Sequence, residues 1–336
     1  MAGDHFIFMV DGSSYRPMYE HMLADIAKRE DVSIVVDAPA GGAAKELLLK
    51  NKVRKLTNGC LDFLGYEENR LYDYLKTVCP SHRDVYVVFL NSALWHNPYL
   101  PGTLKRYKQK WKNIKYVLFY LDVIGSGVCR TADLLREQHV FDLVYSYDAN
   151  NAKDYHLIPW RTFYSQNEYY KNIPVQSQLY FCCGVTGPRI PLLRECLEQC
   201  RKNKIHCTMD LICNEPAEEL RQYVPMANLL PAGHELNYAS VLQRELSASC
   251  LLEIVQPGRT GLTLRPYEAV AYNRKLLTNC KSILEFPYYN PAYVQYFENI
   301  ENIDWEWVKA DATVDYGYNE EFSPKWLLED IQSRLG

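Results

Sequence analysis

The stretch Glu253–Asn279, EIVQPGRTGLTLRPYEAVAYNRKLLTN, decides the reading of the whole chain. Ser249 to Val255 is apolar and β-prone, Pro257 to Gly261 breaks that run, and Leu276 and Leu277 resume it after a helix-length interval. The order predicts strand, glycine-containing loop, helix and strand: one α/β unit with its loop at the strand's C-terminal end. Pro266 suits the first helical position, where a missing N–H costs nothing, so Arg265 is expected at the helix mouth and Glu268 in the first turn. Such a mouth offers unpaired N–H groups and the positive end of a dipole, which suit a diphosphate, while a carboxylate one turn in can accept from ribose hydroxyls. The same acid can equally serve the dipole with no ligand present.

Working back, Tyr238 to Leu246 has helical spacing and follows ANLLPAG (227–233); His206 to Cys213 reads as a strand. Leu179 to Cys183 is another strand, followed by the turn GVTGPRI (184–190) and a helix over Leu192 to Cys200 with Pro188 near its start. Gly184, Thr186 and Gly187 would let backbone approach a bound group, with Arg189 beside the helix mouth; a plain tight turn is the default for such glycines. Residues 167–178 contain Pro174 and show no clear period, as a linker would.

The first half repeats the alternation. Phe6–Val10, Val32–Val36, Val85–Leu90, Tyr116–Tyr120 and Phe141–Tyr147 read as strands. Asp11, Asp37 and Asp122 follow strand ends, where open α/β sheets build their sites; single aspartates there are as readily caps or turn residues. In TLKRYKQKWKNIKY (103–116), Leu104, Tyr107, Trp111 and Ile114 form one stripe among six lysines and arginines. A basic amphipathic helix of this kind suits an anionic membrane surface, or its stripe packs on the sheet and the lysines are solvated. Pro324–Leu335 reads as a final amphipathic helix that crosses back to the first domain.

A length of 336 residues with 48% hydrophobic content fills two cores. The net charge of −4 argues against bulk nucleic-acid binding, with 21 Lys and Arg against 20 Asp and Glu in residues 1–170 and 16 against 21 in the remainder. The 11 cysteines are odd in number and form no CxxC pair, and no charged-then-apolar leader opens the chain, so a reduced cytoplasmic setting is expected. Cys182, Cys183, Cys196 and Cys200 are expected to be buried thiols rather than a metal cluster. The 27 tyrosines place hydroxyl-tipped rings along clefts as readily as in cores.

Gln256, Gly258, Arg259, Thr260, Gly261, Leu262, Thr263, Leu264, Arg265, Glu268 and Ala269, followed by Arg274, Lys275 and Leu276–Asn279, carry a resemblance. They resemble the nucleotide-binding segment of GT-B glycosyltransferases, particularly the capsule and lipopolysaccharide group, in which a similar QxGQTGLTLRxxEA run precedes a basic KKLITN strand. SYDANNAKDYHLIPWRTFY (146–164), with Asp148 and Asp154, resembles a segment of the same group, as do Tyr288–Asn299 and DWEWVKA (304–310). Many GT-B enzymes carry a paired-glutamate motif here; this chain keeps the second, Glu268, and has Thr260 in the earlier place.

The resemblance implies an α/β GT-B fold, two Rossmann-like doubly wound domains facing each other across a cleft, with residues 1–172 binding the acceptor and 173–336 the donor. It implies a glycosyltransferase moving a sugar from a nucleotide diphosphate, UDP favoured, to a hydroxyl of a glycan or lipid-linked glycan in bacterial cell-surface polysaccharide synthesis. Neither cofactor nor metal is expected. Donor contacts are expected from Gly184, Thr186, Arg189, Pro231 with its neighbours Leu230 and Ala232, Gly258, Arg259, Thr260, Gly261, Leu262, Thr263, Arg265 and Glu268. Asp122 or Asp11 would take the acceptor proton if the reaction inverts. The setting implied is cytoplasmic, peripheral on the inner face of the plasma membrane. A nucleotide-sugar epimerase and a catalytically silent donor-binding partner are the alternatives.

Overall fold

The computed structural model describes residues 3–11, 16–37, 70–90, 101–125, 138–185, 189–213, 227–231, 236–255 and 260–336. The chain divides into two compact units, one of residues 1–163 with 323–336 and one of residues 164–322; the division falls after Phe163, against the expected 172/173.

The first unit is built on a six-stranded parallel sheet of order β2-β1-β3-β4-β5-β6. Its strands are β1 (His5–Asp11), β2 (Val32–Asp37), β3 (Val85–Leu90), β4 (Ile114–Tyr120), β5 (Leu143–Ser146) and β6 (Ile158–Pro159). All six residues of β3 are buried, because a central parallel strand is covered on both faces. The described helices are α1 (Arg16–Met22), α2 (Arg70–Val78), α3 (Pro101–Lys110) and α4 (Ala149–Asp154), with a last helix, α9 (Lys325–Leu335), returning from the C-terminal end of the chain. Leu327, Leu328 and Ile331 are buried, and α9 is tied to the sheet by Tyr145 Oη donating to Asp330 at 2.7 Å and Gln332 Nε2 to Asp4 at 3.1 Å.

The helix expected over 103–116 stops at Lys110, and the strand after it begins at Ile114 rather than Tyr116. The stripe packs on the sheet: Leu104, Tyr107 and Ile114 are in the core, and Trp111 lies against it. Lys108 pairs with Asp142 at 2.7 Å, and Lys110 donates to the Tyr72 hydroxyl at 2.5 Å over the Tyr72 and Trp111 rings. Among the described residues no helix is long and apolar enough to cross a membrane.

The second unit has a six-stranded parallel sheet of order β9-β8-β7-β10-β11-β12. Its strands are β7 (Ser177–Gly184), β8 (Cys207–Cys213), β9 (Ala227–Pro231), β10 (Ala248–Glu253), β11 (Lys275–Thr278) and β12 (Val294–Tyr296). Helices α5 (Ile190–Lys202), α6 (Tyr238–Leu246), α7 (Leu264–Ala271) and α8 (Trp305–Lys309) complete it. Alternate strand residues serve two cores: Leu179, Phe181, Met209 and Leu252 pack with α5 and α8, while Leu251 and Leu276 pack with α6 and α7. Cys196, Cys200, Cys207 and Cys250 are buried in the first of these cores as small apolar groups.

Counted within the unit, the strand order is 3-2-1-4-5-6, with the winding reversing between β7 and β10. At such a reversal, adjacent crossovers leave on opposite faces of the sheet and a crevice opens beyond the strands' C-terminal ends. In the first unit the corresponding reversal lies between β1 and β3.

Candidate functional site

Strand β10 ends in Glu253, strand β7 in Cys182, Cys183 and Gly184, and α7 begins just beyond, so the reversal point of the second sheet collects the decisive stretch. Thr263 caps α7: its hydroxyl accepts from Arg265 N at 3.2 Å and donates to the Glu253 carboxylate. Pro266 is therefore the third helical residue rather than the first, and Glu268 stands in the second turn. The cost is nil, since N–H groups throughout a first turn lack helical partners.

Glu253 is 2% exposed. Its second oxygen accepts from Thr278 Oγ1 at 2.5 Å, and that hydroxyl accepts in turn from Cys280 N at 2.9 Å. Burial raises the Glu253 pKa, and the two threonine hydroxyls oppose the rise. Beside it, Val255 N donates to Asn279 Oδ1 at 2.7 Å. The ends of β10 and β11 and the cap of α7 are thus joined through one carboxylate and one amide.

Arg265 is not an open cation at the helix mouth. Its Nε donates to Glu245 Oε1 at 2.7 Å and its Nη1 to the Cys182 carbonyl at 3.3 Å; the side chains of Arg265 and Glu245 are 14% and 1% exposed. Glu268 is buried as well, accepting from the Tyr238 hydroxyl at 2.5 Å, with Tyr164 Oη 3.2 Å from Tyr238 Oη. Burial, and then the neighbouring Glu245 charge, push the Glu268 carboxyl up to about 8, against the pull of Arg265 and Tyr238. Two buried carboxyls share one guanidinium, so a proton on Glu268 leaves the group neutral.

The same helix holds a second polar anchor. Asp210 of β8, fully buried, accepts from Tyr180 Oη at 2.7 Å, Asn228 Nδ2 at 2.8 Å and Arg244 Nη1 at 2.9 Å. Consecutive residues of α6, Arg244 and Glu245, therefore grip β8 and α7 respectively.

Of the other expected contacts, Gly184 ends β7 with open space where a Cβ would stand, and its carbonyl accepts from Arg189 Nη1 at 3.1 Å. Arg189 precedes α5. Thr260, Gly261, Leu262 and Thr263 lead into α7, with the Cys280 thiol 3.9 Å from the Thr260 carbonyl. Residues 227–231, which include the expected donor contacts Leu230 and Pro231, form the edge strand β9; Pro231 lies opposite Cys213, at the same C-terminal edge, two strands from β7. Thr186, Gly258, Arg259 and Ala232 lie outside the described residues. In the first unit, Asp11 ends β1 with its backbone in register with Asp37, and Asp122 follows β4, accepting from Val123 N at 2.8 Å. Among the described residues no group of three or more His, Cys, Asp or Glu is arranged to hold a metal.

Sequence reading missed Glu245, Glu253 and Asp210. Glu245 had a signal: it falls in the apolar stripe of α6, beside Leu246 and three residues after Leu242, where a carboxylate needs a buried partner. Asp210 interrupts, and Glu253 ends, a strand with no other charged residue, the same kind of signal.

No protein-family profile and no curated protein matches the chain. Solved structures do. The chain is similar to an α-glucosyltransferase in complex with UDP and a 13-mer DNA containing a central A:G mismatch, at a TM-score of 0.62 and 12% identity over 99% of this chain and 100% of that one. It is similar to the catalytic domain of starch synthase IV from Arabidopsis thaliana bound to ADP and acarbose, at 0.57 and 8% over 99% and 98%. It is similar to HepE of Anabaena in complex with UDP and glucose, at 0.56 and 11% over 100% and 99%. At these identities the likeness is one of fold, and the fold is GT-B: α/β, with two six-stranded parallel sheets.

Proposed function

We propose that the chain is a glycosyltransferase that binds a nucleoside-diphosphate sugar, UDP-linked by preference, on its second unit and transfers the sugar to a hydroxyl of a glycan or lipid-linked glycan. The observation that carries this reading is the convergence, at the reversal point of the second sheet, of the capped mouth of α7 with Gly184 and the buried Glu245–Arg265–Glu268 group. Full-length likeness to structures holding UDP or ADP supports it.

In this reading the diphosphate lies at the mouth of α7, stabilised by the positive end of the helix dipole, the Leu264 N–H and the guanidinium groups of Arg189 and Arg259; Pro266 has no N–H, and the Thr263 hydroxyl takes that of Arg265. Arg265, engaged by Glu245 and the Cys182 carbonyl, contributes its positive field to the site rather than meeting the phosphates alone. The ribose is the donor group that the sequence resemblance assigns to Glu268, whose carboxyl is held by Tyr238. The acceptor oxygen bonds to the anomeric carbon, the carbon–oxygen bond to the β-phosphate breaks, and the diphosphate leaves with the electron pair. In an inverting reaction the hydroxyl proton passes to a first-unit carboxylate, Asp122 or Asp11. No metal enters this scheme. A capsule or lipopolysaccharide acceptor on the inner face of the plasma membrane is the setting that the sequence resemblance favours, with the exposed Lys105 and Lys112 facing anionic lipid.

A second reading, a silent nucleotide-binding partner, is favoured by two observations: Thr260 stands in place of a glutamate, and Asp122 accepts from its own turn. The test is thermal unfolding with UDP, GDP, dTDP, CMP and ADP, with and without EDTA, followed by sugar transfer to lipid-linked glycan, free glycan and duplex DNA. A nucleotide at about 100 times its Kd stabilises the fold by about 2.7 kcal/mol. A shift by one diphosphate, unchanged by EDTA, together with transfer supports the proposal. A shift without transfer or donor hydrolysis favours the silent partner, and no shift overturns both.

A further inference from the structure

Glu253 lies where three pieces of the second unit meet: the last residue of β10, the cap of α7 and the end of β11. It is a buried carboxylate on a strand whose other five residues are alanine, serine, cysteine and leucines. A carboxylate in such a place costs stability unless both oxygens are bonded, and here both are, by hydroxyls that themselves fix backbone N–H groups. Thr263 Oγ1 accepts from Arg265 N, and Thr278 Oγ1 accepts from Cys280 N. Each hydroxyl therefore has its single proton directed at Glu253. Asn279 adds a second tie: its side-chain oxygen accepts from Val255 N at 2.7 Å, and its own backbone N–H donates to the Glu253 carbonyl at 3.4 Å.

These contacts fix the described residues on both sides of the segment that joins β10 to α7, Val255 before it and Thr263 after it. The core gains nothing from such an arrangement that apolar residues would not supply better, since replacing buried ionic groups by apolar ones is often neutral or stabilising. What the arrangement supplies is a fixed position for the first turn of α7 relative to the sheet edge.

We propose that Glu253, with Thr278 and Asn279, is a positioning residue for the donor: it holds the lead-in to α7, Leu262 to Leu264, in the geometry that receives the diphosphate. The proposal rests on the donor-binding reading above and adds to it residues that touch no ligand. It also gives a physical reason for threonine and asparagine at the end of β11, each spent on the neighbouring turn.

Glu253→Gln keeps the shape but offers one acceptor in place of two, so one of the two hydroxyls faces an N–H and its proton loses its partner. Thr278→Val removes one tie at nearly constant volume, and Thr278→Ser restores it. Asp148→Ala, in the first unit, serves as a variant that lowers stability without touching this edge. The measurements are calorimetric affinity for the diphosphate that shifts the wild type most, thermal midpoints, and hydrogen exchange at Val255 and Thr263–Arg265. The expected result is about tenfold weaker binding in Glu253→Gln and Thr278→Val, near-wild-type affinity in Thr278→Ser and Asp148→Ala, and faster exchange at those amides only in the first two. Wild-type affinity in Thr278→Val, or equal weakening in Thr278→Ser and Thr278→Val, overturns the positioning role while leaving the donor reading intact. Absence of nucleotide binding by the wild type overturns both.

Discussion

The two sheets differ in how they treat charge. In the first unit, the buried acid Asp148 sits at a helix end, where it caps α4 by accepting from Asn151 N at 2.9 Å, and Asp142 answers Lys108 at the edge. In the second unit, Asp210, Glu245, Glu253, Glu268 and Lys275 are all buried within the packed layers. A cap satisfies backbone groups that would be unpaired in any helix. A carboxyl between sheet and helix satisfies nothing that apolar packing would leave open, so its presence marks geometry kept at the expense of stability.

The comparison breaks first at the Glu245–Arg265 pair. Removing either partner leaves the other buried and uncompensated, so Glu245→Ala and Arg265→Ala should each lower unfolding free energy in urea by about 3–5 kcal/mol, whereas the same truncation of solvent-facing Arg201 should change it little. A double change to a matched apolar pair, Glu245→Leu with Arg265→Met, should recover most of the loss; failure to recover would mean that the pair contributes more than mutual neutralisation.

Glu268 sharpens the contrast through pH. Its folded-state pKa is raised from 4.5 to about 8, so the native chain holds a proton that the unfolded chain releases between those values. Stability from this group is highest below pH 4.5, falls as pH rises through the window, and levels off above 8. Glu268→Gln should flatten that slope and leave the variant more stable than the wild type at pH 8–9, by an amount on the order of a few kcal/mol. Denaturation series at pH 5.5, 7 and 8.5 would read it, and parallel slopes for the two proteins would refute the buried proton.

The smallest effect belongs to the first unit. Asp148→Ala should cost about 1 kcal/mol, the usual loss of a helix N-cap, read from denaturation in urea. A loss as large as that at Glu245 would remove the distinction between the units.

Much of this was legible in the chain. Val85–Leu90 reads as a buried strand and is one, residue for residue, because a parallel strand covered on both faces leaves no polar position. Helix α6 has the bounds its spacing gives, Tyr238–Leu246. The reading failed where the deciding partner lies far along the chain. Arg265 looks like an open cation until Glu245, twenty residues back, is folded beneath it, and Pro266 looks like a helix start until Thr263 takes the cap for itself.

The basic pair Arg274–Lys275, conspicuous in the sequence, is spent on carbonyl groups. Arg274 donates to Leu246 at the end of α6, to Tyr272 and Asn273 at the end of α7, and to Ile173; Lys275 donates to Trp307, Val308 and Ala310 at the end of α8. Asn273, at a φ of 53°, makes the left-handed turn that brings the pair into position. Three helices thus end on two adjacent side chains, Arg274 just before β11 and Lys275 as its first residue. Fraying of α6 or α7 from its C-terminal end disturbs the other through Arg274, and α8 is held by the next residue, so the amides of these three helices should exchange with solvent at a common free energy rather than helix by helix.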